Sequence, residues 1–415
     1  VLVSTRQTST LKGGVQPLKS IDFCDVYRTR RDPPTVPLKR LRIAGFRNLG
    51  DQELEFPAEG VAIVGRNAQG KSNLLEAIYY LETLRSFRGA REDQLVGFGR
   101  DVFRIEGVLE GDPQGVTSVA AAFQRRGREK KVTVDGAEVE RLAQGIGHLS
   151  AVLFSPLDTG LVSEGPAERR RYLDIVLSLN RPGYLEALQR YRKILAQRNA
   201  ALKERAEPGV VRVWDEPLSR LGGEVMEARA SWCADWVERF GDYYARVSGN
   251  VRALLRYQPA VGSSVERPDV ESIGDPGVWR GALAEGLTRS WDRDARLGTT
   301  SVGPHRDDMV LSLDSDRGDL DLRDFGSGGQ RRTAALALRL VEADTIRAAR
   351  GKEPLVLMDD AFAELDADRS QRILELMESE EKGQVIVTAP KEADIRFRSG
   401  QLERWTIESG AIRPV

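Results

Sequence analysis

The sequence predicts an α/β protein whose mixed β-sheet core is split in two by a long helical insert. Three observations carry this reading. The apolar runs in GVAIV (60–64), PLVLM (354–358) and QVIVT (384–388) have the pattern of central strands buried on both faces. Between the first run and the other two lie Tyr184–Glu207 and Leu218–Asn250, long, charged and amphipathic, broken by Arg-Pro-Gly and Pro-Gly. The stretch VGRNAQGKSNLL (64–75) joins an apolar run to a helical pattern through a glycine-bearing loop.

The first 37 residues lack sustained periodicity and end in RTRRDPPTVP, which predicts a disordered extension or a start codon assigned too far upstream. From Leu38, LKRLRI and QELEF alternate apolar and charged residues, as strands do. Leu74, Leu75, Ile78, Leu81 and Leu84 then share one helical face. Asp101–Leu109, Ser118–Phe123 and Lys131–Val134 read as strands, the last closed by Asp135-Gly136. From about 166 to 295 the character is helical, and beyond about 300 strand patterns return. The predicted organisation is an extension (1–37), a first head segment (38–165), a helical arm (166–299) and a second head segment (300–415).

Composition narrows the class. With 415 residues, 40% of them apolar and 30% charged, the chain can hold two or three domains. No apolar run reaches membrane-spanning length. No secretory h-region opens the chain. Two cysteines, Cys24 and Cys233, build neither a disulfide framework nor a zinc site. A cytoplasmic location is expected. The net charge of −1 neither demands nor excludes nucleic acid, so local clusters must carry that question.

Gly65, Arg66, Asn67, Ala68, Gln69, Gly70, Lys71 and Ser72 form G-x-x-x-x-G-K-S. The glycines let backbone N–H groups approach phosphate, and the following helix N-terminus favours the anion. Lys71 is expected on the β- and γ-phosphates of ATP, with Ser72 on Mg²⁺. By average residue usage a chance match in such a chain arises with a probability of roughly one or two per cent. LVLMDD (355–360) describes a buried strand ending in carboxylates, the Walker B arrangement. Asp359 is placed to hold Mg²⁺ and Asp360 to polarise the attacking water.

GSGGQRR (326–332) opens another helix. Taken alone, Ser327 reads equally well as a helix N-cap. About 30 residues before a Walker B strand, Ser327, Gly328, Gly329 and Gln330 instead match the signature of ABC-type ATPases, which faces the P-loop of a second protomer. ATP held in this way makes nucleotide binding and homodimerisation one event. Glu364-Leu365-Asp366 match a D-loop, and Thr388 stands at the switch position or simply ends a buried strand. The fold expected is therefore an ABC-type ATPase head with an inserted α-helical arm.

A resemblance adds to this. LRIAGFRNLGDQELEF (41–56), the loop, FSPLDTGLVSEGPAERRRYLD (154–174), AQRNAAL (196–202), GPHRDD (303–308) and the Asp-Asp Walker B resemble the RecF recombination and repair proteins and their SMC-group relatives. The likeness runs from about Leu38 to Ile412. It implies a slow ABC-type ATPase that dimerises on ATP, binds DNA and helps load a recombinase with RecR- and RecO-type partners, in replication restart and SOS induction. It also implies that Arg47 and Asn48 flank the nucleotide and that His305 and Arg306 have a role. Two departures stand out. Ala68 replaces a glycine usual in SMC-like loops, and a positive φ there would cost about 1 kcal/mol. Gly328 replaces a residue that is often bulkier.

For DNA, the expected cations are Arg125, Arg126, Arg128, Lys130 and Lys131 at a hairpin tip, and Arg169, Arg170 and Arg171. Arg190, Arg192, Lys193 and Arg198 on the long helix are further choices. A transporter nucleotide-binding subunit would have a shorter insert and a His at 388. An SMC-like clamp would sustain heptads over many turns, which Pro and Gly interrupt here.

Overall fold

Why apolar runs become central strands is visible in how their side chains divide. The computed structural model describes residues 36–111, 115–249, 251–261, 272–314, 318–360, 367–380, 383–395 and 402–415. In chain order its first strands are β1 (Leu38–Ala44), β2 (Gln52–Glu55) and β3 (Gly60–Val64), and helix α1 (Lys71–Thr83) follows the loop. Next come α2 (Glu92–Leu95), β4 (Val102–Leu109), β5 (Ser118–Gln124), β6 (Glu129–Val134), β7 (Ala137–Glu138) and β8 (Ala151–Phe154). The main helices of the insert are α3 (Pro166–Asn180), α4 (Tyr184–Lys203), α5 (Asp215–Ser248) and α6 (Pro276–Arg289). Strand β9 (Ala253–Gln258) lies between the last two. The chain closes with β10 (Asp308–Leu313), β11 (Leu320–Asp321), α7 (Gly328–Arg350), β12 (Leu355–Asp359), α8 (Ala367–Glu380), β13 (Val385–Ala389), β14 (Glu403–Glu408) and β15 (Ala411–Pro414).

Strands β14, β3, β13, β12 and β8 form a parallel sheet in that order, with β15 antiparallel on its edge. Alternation splits each strand between two cores. Val61, Ile63, Leu355, Leu357 and Ile386 face α1 and the antiparallel meander β2-β1-β4-β5-β6-β7. Ala62, Val356, Met358, Val385 and Val387 face α7 and the helical insert. The P-loop after β3, the carboxylates ending β12 and Thr388 on β13 thus meet at the carboxyl ends of adjacent strands, where open α/β sheets bind ligands.

Two expectations are corrected. The insert is not wholly helical, because β9 pairs antiparallel with β10 and ties residues 253–258 to the returning chain. Nor do the boundaries drawn at 165 and 299 separate two cores. One continuous apolar cluster runs from the second face of the head sheet through Leu338 and Trp232 to Val225 and Trp279. At the start of the described residues, Val36 is buried in the head core. The expected D-loop, 364–366, lies outside the described residues.

Candidate active site

The loop is held at both ends by groups distant in sequence. A Cβ on Gly65 would stand 2.6 Å from Ile407 Cγ2 and from its carbonyl oxygen, so only glycine lets β14 pass. Gly410 N–H donates to the Gln69 carbonyl at 3.0 Å, and Ser409 N–H donates to Gln69 Oε1 at 2.6 Å. Ser409 and Gly410 both have positive φ, as a two-residue hairpin turn requires. On the other side Asn48 Nδ2 donates to the Ala68 carbonyl at 3.3 Å, and Asn48 Oδ1 accepts from Asn73 Nδ2 at 2.7 Å. Ala68 does sit at φ 66°, the left-handed conformation in which Ala costs about 1 kcal/mol relative to Gly.

Lys71 is buried, and its Nζ donates to the carbonyls of Gly65 at 2.7 Å and Arg66 at 3.3 Å. Ser72 Oγ donates to Asp359 Oδ1 at 2.8 Å. Thr388 Oγ1 reaches the same oxygen at 3.1 Å and the Met358 carbonyl at 3.2 Å. Thr388 is itself buried, so its hydroxyl positions Asp359. Asp360 has φ 47°, and its buried Oδ1 has no hydrogen-bond partner. Burial raises the Asp360 carboxyl above the ordinary aspartate range, Lys71 pulls it down, and Asp359 pushes it up again. A strained backbone and an unsatisfied carboxylate oxygen beside a loop lysine mark a site kept for chemistry.

The donor set fits Mg²⁺. Ser72 and Asp359 offer hard oxygens side by side, and Mg²⁺ takes one or two protein oxygens while completing its shell with water and phosphate. Among the described residues no group of three or more His, Cys, Asp or Glu side chains offers a dedicated cage.

Beside these groups lies a cleft of about 870 Å³. Asn67, Ala68, Gly70, Lys71, Ser72 and Asp360 line it, with Arg47, Asn48 and Arg125. Gly65, Arg66 and Gln69 do not, so of the expected loop residues these three serve the backbone frame. Arg47 borders the cleft, but its guanidinium forks onto Glu76 at 2.9 and 3.1 Å and reaches the Gln94 carbonyl at 3.2 Å. Glu76, fully buried, also accepts from Ser86 Oγ at 2.5 Å. Arg47 therefore welds α1 to the 94–96 segment.

None of Ser327, Gly328, Gly329 and Gln330 lines this cleft. Ser327 Oγ accepts from Gln330 N–H at 3.3 Å and Gln330 Oε1 accepts from Ser327 N–H at 2.8 Å, a capping box opening the 23-residue α7. Ser327 and Gly328 are exposed, so the capped end is presented to the outside.

Several cations expected on DNA are internal struts, while Arg125, Lys131 and Arg192 are exposed and make their contacts at the surface. Arg169 is buried and forks onto Asp308 at 2.8 and 2.9 Å. Arg170 donates to the Asp307 carbonyl at 2.6 Å, and Arg171 to the Ser86 carbonyl at 3.1 Å. Lys130 lies in β6 rather than at the tip, bonded to Glu92 at 2.8 Å and to the Leu84 carbonyl at 2.9 Å. Lys131 pairs with Glu138 at 2.5 Å. Arg125 reaches the carbonyls of Asp93 and Val96, and Arg192 pairs with Asp174 at 2.8 Å. Arg198 is buried between Asp215, Asp294 and Thr300, each at 2.8 Å. Arg126 and Arg128 are exposed and carry no ion pair among the described residues.

His305 is built in as well. Its Nδ1 meets Tyr191 Oη at 2.7 Å and its Nε2 meets the Thr300 carbonyl at 3.0 Å. Burial lowers its pKa to about 4, so the ring is neutral at pH 7. Since a carbonyl can only accept, Nε2 carries the proton and Nδ1 accepts from the tyrosine. Arg306 is exposed.

Residues 37–399 match the RecF/RecN/SMC N terminal domain family. The DNA replication and repair protein RecF of Synechocystis sp. is 36% identical over 395 residues, covering 89% of this chain and 99% of its own length. The chain belongs to the RecF family. The RecF of Anaeromyxobacter dehalogenans is 38% identical over 346 residues, covering 82% of this chain and 88% of its own. The solved structure of the recombination mediator protein RecF-ATPrS in the RecFOR pathway superposes with a TM-score of 0.82 at 30% identity, over 93% of this chain and all of that one. An SMC head bound to the winged-helix domain of ScpA shares the fold alone, with a TM-score of 0.53 at 15% identity, over 92% of this chain and 97% of that one. This RecF-family chain thus carries the ABC-type ATPase head that its sequence predicts, and no helix among its described residues is long and apolar enough to cross a membrane.

Proposed function

We propose that this RecF-family protein is a cytoplasmic, ATP-dependent DNA-binding mediator of recombination and repair, in which ATP joins two copies and hydrolysis, slow as in a timing device, releases them. One observation carries the reading. Lys71, Ser72 and Asp360 line one cleft, Asp359 is hydrogen-bonded to Ser72, and the chain's own signature does not reach that cleft.

In this reading the triphosphate lies on the N-terminus of α1, where Gly70, Lys71 and Ser72 present free N–H groups. Lys71 exchanges the Gly65 and Arg66 carbonyls for β- and γ-phosphate oxygens. Ser72 and Asp359 would hold Mg²⁺, which when bound neutralises charge on the transferring phosphoryl group. Asp360 orients water for in-line attack and accepts its proton, and its raised proton affinity suits a base. Ser327 and the α7 N-terminus of the second copy close the site over the γ-phosphate, so hydrolysis requires the dimer. The likeness to a recombination mediator of the RecFOR pathway supports RecO- and RecR-type partners and a role in recombinase loading.

Arg126 and Arg128, exposed at the β5–β6 turn without an ion pair among the described residues, are the strongest DNA contacts, together with exposed Lys193 on α4. Affinity for duplex DNA, measured by fluorescence anisotropy across a salt series with ATP, is expected to fall steeply. The log–log slope should be about −0.9 per phosphate neutralised. Arg126→Ala with Arg128→Ala should make that slope shallower by about 2. A slope unaffected by the double substitution would move the DNA surface elsewhere, and binding independent of salt would remove the electrostatic interface altogether.

A further inference from the structure

The same cleft has a second wall that phosphate chemistry does not use. It can be followed by hydrogen bonds away from the P-loop. Asn48 holds the Ala68 carbonyl, and the neighbouring Arg47 N–H donates to the Leu95 carbonyl at 2.8 Å. Next, Phe46 and Val96 form an isolated antiparallel bridge, and Gly97 N–H donates to the Gly45 carbonyl at 2.7 Å. The wall ends in the turn Gly97-Phe98-Gly99-Arg100, closed by Arg100 N–H on the Gly97 carbonyl at 3.1 Å. Gly99 takes φ 74° at the third position, as a type II turn demands, which leaves Phe98 at the outer corner.

Phe98 lines the cleft and is wholly solvent-exposed, with a relative accessibility of 101%. A single exposed apolar residue is ordinary on a protein surface. This one differs in its mounting. Arg125 braces the segment from the side, donating to the carbonyls of Asp93 at 3.1 Å and Val96 at 3.4 Å. Arg100 pairs with Asp51 at 3.1 Å beyond the turn. A ring exposed on a braced turn of a phosphate-binding cleft offers a stacking surface to the flat face of a nucleobase.

We propose that Phe98 is the base platform of the nucleotide site, stacking on the purine of a nucleoside triphosphate whose phosphates lie on the P-loop. The assignment rests on the nucleotide-site reading given above and adds to it the recognition of the nucleoside end. Arg125 is the positioning residue of the platform, since its guanidinium is spent on the carbonyls that shape the turn. A stacking face distinguishes a nucleotide from a bare polyphosphate. It does so without hydrogen-bond readout, so it favours purines by stacking area rather than by edge pattern.

The test uses the full chain carrying Ser327→Arg, so that dimer formation does not contribute, and compares ATP with inorganic tripolyphosphate by titration calorimetry. Phe98→Ala is expected to weaken ATP about tenfold or more while leaving tripolyphosphate unchanged. Phe98→Trp is expected to retain ATP affinity and to add a fluorescence response to ATP, but not to tripolyphosphate, beyond that of the native tryptophans. Unchanged ATP affinity in Phe98→Ala, or equal weakening of both ligands, overturns the platform. If the parent chain binds tripolyphosphate but gains nothing from the nucleoside, the platform fails and the phosphate site stands. If it binds neither ligand, the nucleotide-site reading fails with it.

Discussion

Lys71→Ala is expected to abolish ATP binding at millimolar nucleotide and, with it, every ATP-dependent property of the protein. The ammonium group is buried and held by two loop carbonyls, so the site supplies its cation already aimed at the phosphates. Alanine removes that charge and leaves the Gly65 and Arg66 carbonyls as uncompensated acceptors beside a polyanion. A hydrogen bond to a charged group contributes about 1.5–3 kcal/mol, and the triphosphate makes more than one with this lysine. Loss of the lysine also removes the group that draws the Asp360 proton affinity down. Calorimetric titration with ATP and Mg²⁺ checks this, with the unfolding midpoint as a control for folding. Binding within a few-fold of wild type would mean that the triphosphate does not lie on this loop.

Arg198→Ala is expected to lower stability by about 3–5 kcal/mol, the range found when one partner of a buried ion pair is removed. Arg198 is fully buried and bonds Asp215, Asp294 and Thr300, joining α4 to the start of α5 and to the 291–300 segment. Asp294 is equally buried, and it would be left with the Ser301 N–H and hydroxyl groups and the more distant Ser290 hydroxyl as partners. Urea denaturation followed by circular dichroism should show a clear fall in midpoint. Arg126→Ala, at an exposed turn, should leave the midpoint within error. Equal midpoints for the two variants would contradict the assignment of Arg198 as a strut.

These two arginines show where sequence reading succeeds and where it stops. The P-loop, the Asp-Asp strand end and the S-G-G-Q helix start are local patterns, so their type and order are legible in the chain itself. What a charged residue does within a helix depends on which face turns inward. For Arg169 and Arg198 that face was visible. Arg169 shares an i, i+3, i+4, i+7 stripe with buried Tyr172, Leu173 and Val176. Arg198 follows buried Tyr191 by two turns. Lys130 likewise alternates onto the face of buried Val132. Treating the basic clusters as undivided patches hid those periodicities.

Other features had no local signal. The partner of Arg169 is Asp308, 139 residues away, and the clamp on Gln69 comes from Ser409 and Gly410, 340 residues beyond it. The Ser-Gly turn itself was readable, but its place beside the loop follows only from β14 pairing with β3. Strand β9 was missed because its alternation runs over only six residues between long helices, and its pairing with β10 spans some fifty residues. Ala68 does take the positive φ whose cost the sequence reading stated conditionally, from the glycine usual at that place.

The central claim is that each chain supplies half of a nucleotide site and that ATP joins the halves. Sedimentation velocity gives the mass directly, for wild type and Ser327→Arg, with and without ATP and Mg²⁺. The account predicts that wild type passes from monomer to dimer only when ATP is added. Ser327→Arg should remain monomeric although it binds ATP with near wild-type affinity. A wild-type chain that is equally dimeric without nucleotide, or that stays monomeric when saturated with ATP, would contradict it.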